Sequence, residues 1–321
     1  MKEFQLIRQI QRETAVSSST DSCHGVKLGI GDDAAVLEVP AGQHLVAATD
    51  TLNAGTHFPD DTSPHDIAYK CLAVNLSDLA AMGASPRWAL LSLSLPGADP
   101  DWVQSFIEGF QSLAQDHDVA LVGGDTTSGP LSVSLTALGL IKPGAQLMRS
   151  GAKPGDLLVV SGTIGGAARV LDLLQAGRSV IDRQLLDRPQ PRVKLGQALI
   201  GYANACIDIS DGLLADLGHV LKASGCGARI NLEKLPHAGI LEGLEDGLRW
   251  NYQLSGGDDY ELLFTLPSHH KEMISTWSRE LDIRLSIIGE IEEDEGIRCI
   301  GQDGAAYNPQ YAGFEHFAQK P

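Results

Sequence analysis

The stretch SPHDIAYKCLAVNLSDLAAMG, residues 63–83, predicts a long and almost entirely apolar α-helix. Ser63 is a suitable N-cap, and Pro64 fits the first helical position because its missing N–H would have no partner there anyway. Gly83 fits the position just beyond the last turn, where the backbone often becomes left-handed. We therefore expect a helix over residues 64–82.

One acid in this helix needs an explanation. Asn75 and Asp78 are three residues apart, so they share one face of the helix, and their neighbours are almost all apolar. An ionised carboxylate in such a place must be paired or bound to a metal ion, because an unpaired buried charge is costly. A helix cap or a buried, hydrogen-bonded acid is the alternative for Asp78 taken alone.

Strand patterns flank this helix on both sides and start again after a break. Two Pro-Gly turns in residues 142–156 predict a domain boundary. Each half mixes strands with helices, so we expect two α/β domains with mixed sheets, residues 1–145 and 146–321, and not one doubly wound parallel sheet. The predicted strands are HLVAAT, RWALLSLSL, VALVGG, LSVSLTALGL, LLVVSG and segments near 205–209, 228–232 and 260–265, and the other predicted helices are at the N-terminus, from 100 to 116, from 163 to 174, at 191–203, at 211–224 and, with a last strand, within 270–290.

Composition limits the functional class. The chain has 321 residues, of which 43% are hydrophobic and 20% charged, as in ordinary globular proteins. Its formal net charge of −17, without a basic stripe, argues against a nucleic-acid partner. There is no run of 18 apolar residues and no signal-peptide core, and five cysteines without a C-x-x-C pair argue against disulfides and thiolate metal sites. We expect a soluble, cytoplasmic protein with no nucleic-acid or membrane partner.

Acids recur in one setting along the chain. Each stands at the end of an apolar run beside glycine, serine or threonine, where small residues let carboxylate oxygens converge on one point. Any one of them could be a cap, and SDGLLADL also resembles an ordinary helix start. Together they predict a shared cluster. Its members are Asp32, Asp33, Asp50, Asp78, Asp125, Asp208, Asp211, Asp258 and Asp259.

The type of donor favours a hard cation. Oxygen ligands without cysteine, and without histidine at helical metal spacing, favour Mg²⁺, which in such sites bridges to substrate phosphates. The glycine-rich segments 123–129 and 161–168 can cradle phosphate with backbone N–H groups, although a plain tight turn explains each one equally well. There is no P-loop and no kinase H-R-D or D-F-G motif, so neither common phosphoryl-transfer fold is expected.

Taken in order, the motifs resemble those of the thiamine-monophosphate kinases, in the superfamily of aminoimidazole ribonucleotide synthetase and selenophosphate synthetase. They are GIGDDAAV, TDTL with GTHF, KCLAVNLSDLAAMGA, GGDTT, RSGAKPGD, IDISDGL, SGGDDYELLF and the terminal GFEHF, and they span nearly the whole chain. The resemblance implies two α/β domains of the aminoimidazole ribonucleotide synthetase type, and a homodimer in which the N-terminal domains complete a β-barrel. It also implies an active site in a cleft between domains, where a phosphoryl group passes from ATP to thiamine phosphate.

The resemblance implies roles for individual residues as well. The implied ligands of several Mg²⁺ ions are Asp33, Thr49, Asp50, Asp78, Asp125, Asp208 and Asp211. The implied ATP contacts are Gly124, Asp125, Arg149 and Ser210, and the implied thiamine phosphate contacts are His57, Asp258 and Phe314. The implied catalytic set is Asp33, Asp50, Asp78, Asp125, Arg149 and Asp211. Such a set suits phosphoryl transfer, which depends mostly on positioning and charge neutralisation.

Two positions depart from the family pattern. Members commonly have Glu where this chain has Asp258, so the carboxylate reaches less far by a methylene group. Position 48, often Ser in relatives, is Ala48, so a hydroxyl is missing there. Within GIGDDAAV, Asp33 is predicted to bind metal, and Asp32 is predicted to orient the loop or to bind through water.

Two other functions fit part of the pattern. A sister ATP-dependent enzyme such as selenophosphate synthetase would need a reactive cysteine beside a lysine in a glycine-rich loop, and the surroundings of Cys23 fit this poorly. A non-catalytic nucleotide-binding or metal-sensing module would tolerate loss of the acids, whereas here every expected acid position is filled. Release of ADP that depends on thiamine phosphate separates the three functions.

Overall fold

The computed structural model describes residues 3–14, 25–180, 182–302, 304–309 and 313. The chain divides into two compact units. The first unit runs from the N-terminal helix to residue 79 and continues from 84 to 144, and the second takes 80–83 and continues from 145 onwards. Each unit has its own main sheet.

The first unit is a mixed α/β layer. Its helices are α1 (Glu3–Thr14), α2 (Pro64–Ala81) and α3 (Pro100–Asp116), and its strands are β1 (Val26–Leu28), β2 (Val36–Leu37), β3 (His44–Asn53), β4 (Ser85–Leu95), β5 (Ala120–Ser128) and β6 (Ser132–Ile141). β1 and β2 form a small antiparallel pair, and the main sheet has the order β3-β6-β4-β5. β4 and β5 are parallel and connected through α3, whereas the other two pairs are antiparallel.

The two faces of this four-stranded sheet differ. Residues along β6 alternate between buried and half-buried, as expected for a strand with one apolar face. α2 lies on the apolar face, where the Cys71 thiol donates to the Val133 carbonyl at 4.0 Å. On the opposite face, the β1–β2 pair packs against a small apolar cluster around Trp88. The remainder of that face carries exposed polar side chains such as Thr49 and Thr51.

The second unit is built on a seven-stranded sheet. Its helices are α4 (Gly166–Gln175), α5 (Gln184–Asp187), α6 (Val193–Leu199), α7 (Leu213–Ser224), α8 (Asp246–Ser255) and α9 (Lys271–Leu281), and its strands are β7 (Leu157–Ser161), β8 (Ala205–Asp208), β9 (Gly227–Asn231), β10 (Leu262–Leu266), β11 (Leu285–Glu292), β12 (Gly296–Ile300) and β13 (Ala306–Tyr307). The strand order is β13-β12-β9-β11-β7-β10-β8. β12 pairs with β9 in parallel, and the other pairs of this sheet are antiparallel.

The core of the second unit joins α7 to one face of this sheet. α7 stops at Gly225, whose φ of 67° is the left-handed geometry that glycine adopts without strain. Its apolar residues Leu213 and Leu217 belong to one buried cluster with Val160 of β7 and Ile207 of β8. This packing fixes the turn between β8 and α7, where two of the predicted metal ligands lie.

The predicted mixed α/β architecture is confirmed. α2 is capped as expected, because Ser63 Oγ accepts from the Asp66 N–H at 3.1 Å and Gly83 has a φ of 74°. The helix predicted over 191–203 is shorter, because the backbone is already extended after α6 and Gly201 has a φ of 80°. In the described ranges, the sheet of the first unit is open and forms no closed barrel. No helix in those ranges is long and apolar enough to cross a membrane.

Candidate functional site

Two of the predicted metal ligands meet in the first unit. Asp50 on β3 and Asp78 on α2 are both half-buried. Burial raises the pKa of the Asp50 carboxyl, and a hydrogen bond with the Asp78 side chain partly offsets this rise. Two carboxyl groups share a hydrogen bond only when one of them holds a proton, unless a cation takes the place of that proton. The pair is therefore a favourable position for a cation.

A third oxygen lies on the same face of α2. Asn75 is fully buried, and its Nδ2 donates to the Cys71 carbonyl at 3.0 Å. Its Oδ1 is buried and has no hydrogen-bond partner in the described structure. Cys71, Asn75 and Asp78 recur at helical spacing. Burial and, to a lesser extent, the charge of Asp50 raise the pKa of the Cys71 thiol.

The neighbours of Asp50 on β3 offer different groups. Thr49 points to the opposite face of the sheet, where its hydroxyl donates to the Leu135 carbonyl at 3.1 Å and lies 3.0 Å from the Thr136 hydroxyl. Ala48 points to the same face as Asp50, and its methyl group brings no ligand atom. The metal-ligand role predicted for Thr49 would therefore have to come from its main chain.

His57, a predicted acceptor contact, lies in the tight loop between β3 and α2. Its Nδ1 accepts from the Asn53 N–H at 3.0 Å, so the proton of the neutral ring is on Nε2. Its carbonyl accepts from the Nζ of Lys70, which is fully buried on α2, at 3.0 Å. Lys70 thus ties the loop to the helix that carries Asp78. Lys70 is not among the predicted site residues, although a lysine in such an apolar helix is a usable signal.

Asp32 and Asp33 lie in an exposed turn between β1 and β2. Asp32 Oδ1 accepts from the Asp33 N–H at 2.9 Å, so the first acid shapes the turn that presents the second. A cavity of about 880 Å³ in the first unit is lined by this turn, by Arg8 and Gln11 of α1 and by Gly124 of β5. A predicted metal ligand, Asp33, and a predicted ATP contact, Gly124, therefore border one cavity.

β5 approaches β4 too closely for any side chain at Gly124. Its φ is 149°, and an added Cβ would lie 1.8 Å from the Leu91 carbonyl oxygen. Asp125 follows, is exposed, and is in register with Ser92. Asp50 is aligned across the sheet with Leu91, the residue of β4 that precedes Ser92. Because side chains alternate between faces along a strand, Asp50 and Asp125 project from opposite faces of the sheet.

In the second unit, Asp208 is buried at the end of β8, and Asp211 is half-buried in the following turn. Asp216, in the first turns of α7, accepts from the N–H groups of Ser210, Asp211 and Gly212 at 3.0, 3.1 and 3.2 Å. Burial first, and then the charges of Asp208 and Asp211, raise the pKa of Asp216 to about 7, although the backbone N–H groups oppose the rise. Asp216 therefore holds the turn. It is not among the predicted site residues, because the only sign of this role in the sequence is an acid early in a helix.

A predicted acceptor contact and a predicted ATP contact are neighbours in the second unit. The Asp258 N–H donates to the Ser210 carbonyl at 2.9 Å. The backbone is left-handed at Asp258, with a φ of 68°, and at Tyr260, with a φ of 51°. The Tyr260 hydroxyl lies 3.1 Å from Asp258 Oδ1 and holds that side chain. Aspartate tolerates left-handed angles better than most residues, so the short acid fits this backbone.

The glycine-rich turn 161–168 is filled by the protein itself. The Gly165 N–H donates to both carboxyl oxygens of Asp259, at 3.0 and 2.8 Å, and the Ala167 N–H binds the same group. Burial and, to a lesser extent, the charge of Glu261 raise the pKa of Asp259 well above its usual value. Since a carboxyl group already occupies the N-terminus of α4, the structure favours the tight-turn alternative for this segment.

Arg149 and Phe314 are the two remaining predicted contacts. Arg149 is exposed in the connection between β6 and β7. The main chain beside it is fixed, because the Met148 carbonyl accepts from the Cys206 N–H of β8 at 2.9 Å. Phe314 lies outside the described residues.

Within each of the two units, two of the predicted acids lie close together. Among the residues that the structure describes, no three His, Cys, Asp or Glu side chains are arranged to hold a metal ion. Asp50 contacts Asp78 in the first unit, and Asp208 and Asp211 are neighbours in the second. The donors nevertheless fit Mg²⁺, since all are oxygen atoms and the unpartnered Oδ1 of Asn75 belongs to the same face of α2 as Asp78.

Comparison with known proteins gives a consistent result. The family model "AIR synthase related protein, N-terminal domain" matches residues 31–141, and "AIR synthase related protein, C-terminal domain" matches residues 153–302. Thiamine-monophosphate kinase of Escherichia coli K12 is 47% identical over 304 residues, which cover 91% of this chain and 93% of that protein. The crystal structure of thiamine-monophosphate kinase from Stenotrophomonas maltophilia K279a is 44% identical with a TM-score of 0.85, covering 96% of this chain and 98% of that one. A structure of AaThiL complexed with AMPPCP and TMP is 33% identical with a TM-score of 0.75, covering 98% and 97%.

Proposed function

This chain belongs to the AIR synthase related protein family, and we propose that it is a kinase that transfers a phosphoryl group from ATP to thiamine monophosphate, giving thiamine diphosphate. The relatives that carry the name thiamine-monophosphate kinase match over nearly the whole chain. The AaThiL structure holds AMPPCP, an ATP analogue, together with TMP. The observation that carries the proposal is the Asp50–Asp78 pair, because such a pair calls for a cation, and phosphoryl transfer from ATP requires one.

The acceptor phosphate is itself the nucleophile in this reaction. It is largely ionised at neutral pH, so no side chain has to remove a proton from it. The difficulty is the repulsion between an anionic acceptor and the γ-phosphate of ATP, and the residues of the site act by positioning and by neutralising charge. Arg149 is assigned to the transferring group, which a guanidinium can bind through two parallel hydrogen bonds.

Mg²⁺ belongs to the same proposal. The residues that would hold it are Asp33, Asp50, Asp78, Asp125, Asp208 and Asp211, with the main chain of Thr49. When bound, Mg²⁺ supplies positive charge to the phosphates of both substrates. The chain itself prepares for this, because Asp216 fixes the turn of Asp211 and Asp32 fixes the turn of Asp33.

The remaining contacts divide between the two substrates. Gly124, Asp125, Arg149 and Ser210 are assigned to ATP, and His57, Asp258 and Phe314 to thiamine monophosphate. Gly124 has no side chain and lines the same cavity as Asp33, which supports the ATP assignment. The bond between Asp258 and Ser210 supports placing the acceptor next to the nucleotide.

A homodimer also belongs to the proposal. The main sheet of the first unit has a face on which Thr51 and Ser134 bond each other at 2.7 Å and Leu90 is 36% exposed. A second copy placed against this face would close two open sheets into one barrel and remove their exposed edges. The four described cysteines are unpaired and buried, which suits a cytoplasmic location.

A coupled assay of ADP release tests the proposed function. The purified chain is given ATP and Mg²⁺ with thiamine monophosphate, with thiamine, with selenide, or without an acceptor. We expect ADP release only with thiamine monophosphate, and thiamine diphosphate as the second product by chromatography. ADP release with selenide alone would support the sister synthetase, and nucleotide binding without turnover on any acceptor would support a non-catalytic module.

A further inference from the structure

The Asp50–Asp78 pair offers too few ligands for a divalent cation. Mg²⁺ favours octahedral oxygen coordination, and carboxylates usually share the task with neutral amide or carbonyl oxygens and water. No third acidic or histidine side chain joins the pair within the described residues. A neutral oxygen on the same helix face is therefore the natural supplement.

Asn75 has such an oxygen, and its orientation is determined. Its Nδ2 lies 3.0 Å from the Cys71 carbonyl oxygen, so exchanging the two amide atoms would bring two acceptors together. The unpartnered Oδ1 must therefore point elsewhere. Because the side chain is fully buried, solvent does not reach this atom to compensate it.

The position of Asn75 on α2 directs this oxygen towards the pair. Cys71, one turn before Asn75, donates to the Val133 carbonyl of β6, and Val133 is aligned with Leu52, which lies on the same face of β3 as Asp50. Asp78, one turn after Asn75, shares a hydrogen bond with Asp50 itself. Residues three and four apart are neighbours on a helix surface, so Asn75 lies between two residues of α2 that contact the sheet at or near Asp50.

We propose that Asn75 Oδ1 is a ligand of the divalent cation held by Asp50 and Asp78, either directly or through one cation-bound water. This inference rests on the proposed function, since it assumes that the pair binds a metal. The bond from Nδ2 to Cys71 aims the amide, so the oxygen is already in place before the cation arrives. A neutral ligand also avoids adding a third negative charge to a half-buried pair.

Titration of the metal-free protein with Mn²⁺, followed by electron paramagnetic resonance of the free ion, tests the proposal. Asn75→Leu, which keeps the branched shape and the number of heavy atoms of the side chain, should weaken Mn²⁺ binding at the Asp50–Asp78 pair at least about tenfold, as lost supporting ligands typically do. The Tm of this variant without metal should be equal or higher, because an uncompensated buried oxygen has been removed. Asn75→Asp keeps an oxygen but loses the donor to Cys71, and it should bind Mn²⁺ at least as tightly as the wild-type chain.

Gln253 provides a matched control. It is also fully buried, its Nε2 donates to the Pro236 carbonyl at 3.1 Å, and its Oε1 has no partner in the described structure. Gln253→Met should change stability in the same sense and leave Mn²⁺ binding unchanged. The weakening caused by Asn75→Leu should also disappear in an Asp78→Asn background, since both changes act on one site.

Three results would overturn the proposal. They are wild-type Mn²⁺ affinity in Asn75→Leu, loss of binding in both Asn75 variants together with a lowered metal-free Tm, and an undiminished effect in the Asp78→Asn background. Failure of the proposed function appears separately, as a wild-type chain that releases no ADP with thiamine monophosphate. The metal titration can be interpreted in either case, because it does not depend on turnover.

Discussion

Single residues in this protein adopt costly arrangements at the positions assigned to substrates. Asp258 and Tyr260 both have left-handed backbone angles, which non-glycine residues rarely adopt and which cost energy unless the surroundings impose them. The hydrogen bond from Tyr260 to Asp258 and the backbone bond from Asp258 to Ser210 impose them here. The carboxylate of Asp258 is consequently held in one place before any substrate arrives.

We expect Asp258→Ala to raise the KM for thiamine monophosphate more than the KM for ATP, by about tenfold against less than about threefold, because a lost charge-assisted contact is worth about 1.5–3 kcal/mol. Steady-state kinetics with each substrate varied in turn measures this split. Asp282 has a similar φ of 53° at the end of α9, so Asp282→Ala introduces the same left-handed backbone strain elsewhere and should leave both KM values unchanged. Equal increases for both substrates in Asp258→Ala would remove Asp258 from the acceptor contacts.

A second residue-scale prediction concerns the paired carboxylates. Asp50→Asn or Asp78→Asn should reduce turnover by orders of magnitude, while the metal-free Tm stays equal or rises, because an amide opposite a carboxyl group needs no shared proton. Activity assays and thermal melts of the same preparations measure both effects. Asp116→Asn, at the exposed end of α3, serves as the control acid. Near-normal activity of both pair variants at saturating Mg²⁺ would contradict the metal role.

At the scale of elements, the protein places its own carboxyl groups where its backbone N–H groups converge. Asp216 occupies the turn that enters α7, and Asp259 occupies the turn that enters α4. In each case the acid follows the turn in the sequence. Asp216 lies 5 residues after Asp211, and Asp259 lies 94 residues after Gly165. Helix starts with an internal anion are stable, but they are closed to a phosphate.

We expect Asp259→Ala to destabilise the second unit by about 1–3 kcal/mol, since it leaves buried N–H groups without a partner. Asp259→Asn should cost less than about 1 kcal/mol, because its raised pKa indicates a site that tolerates a neutral group and Oδ1 can still accept from Gly165. Urea denaturation measures the difference. Sulfate should restore part of the stability of Asp259→Ala by binding at the vacated helix start, and it should not stabilise Asp259→Asn. Equal stability of the two variants would show that Asp259 does not hold this turn.

Local signals account for what the sequence predicted at this scale, and non-local partners account for what it missed. The bounds of α2 follow from Ser63 and Gly83, which act within a few residues of themselves. The role of Asp259 depends on Gly165, which no local pattern connects to it. The position of Asp125 on the face opposite to Asp50 depends on strand register and could not be predicted from spacing.

At the scale of the whole molecule, the open sheet of the first unit is the feature that a second copy would complete. Its polar face contains Ser134 near the start of β6, bonded to Thr51 of β3. The strands at its edges are β3 and β5. An unpaired edge beside a partly apolar face favours association, and a closed barrel removes both edges at once.

We expect the wild-type chain to elute as a dimer, with twice its mass of 34.1 kDa by light scattering. Ser134→Arg places a charged, bulky group on the face assigned to the dimer and should shift the mass towards one chain. Ser275→Arg, on the exposed surface of α9, should leave the dimer intact. A monomeric wild-type chain, or a dimer that survives Ser134→Arg, would refute the barrel arrangement.

The shared hydrogen bond of Asp50 and Asp78 makes metal loading an acid–base reaction. The folded pKa of Asp50 is raised above the unfolded value of about 3.9, so the metal-free fold retains a proton that the unfolded chain has lost. The contribution of this proton to the stability of the metal-free fold is complete below the unfolded pKa and disappears as pH rises through the folded pKa. Magnesium must displace that proton, so occupancy should increase with pH and loading should release acid. Calorimetry at several pH values in two buffers of different ionisation enthalpy would measure the released fraction, which Asp78→Asn should abolish. Acidification would then lower the occupancy of this site at constant magnesium.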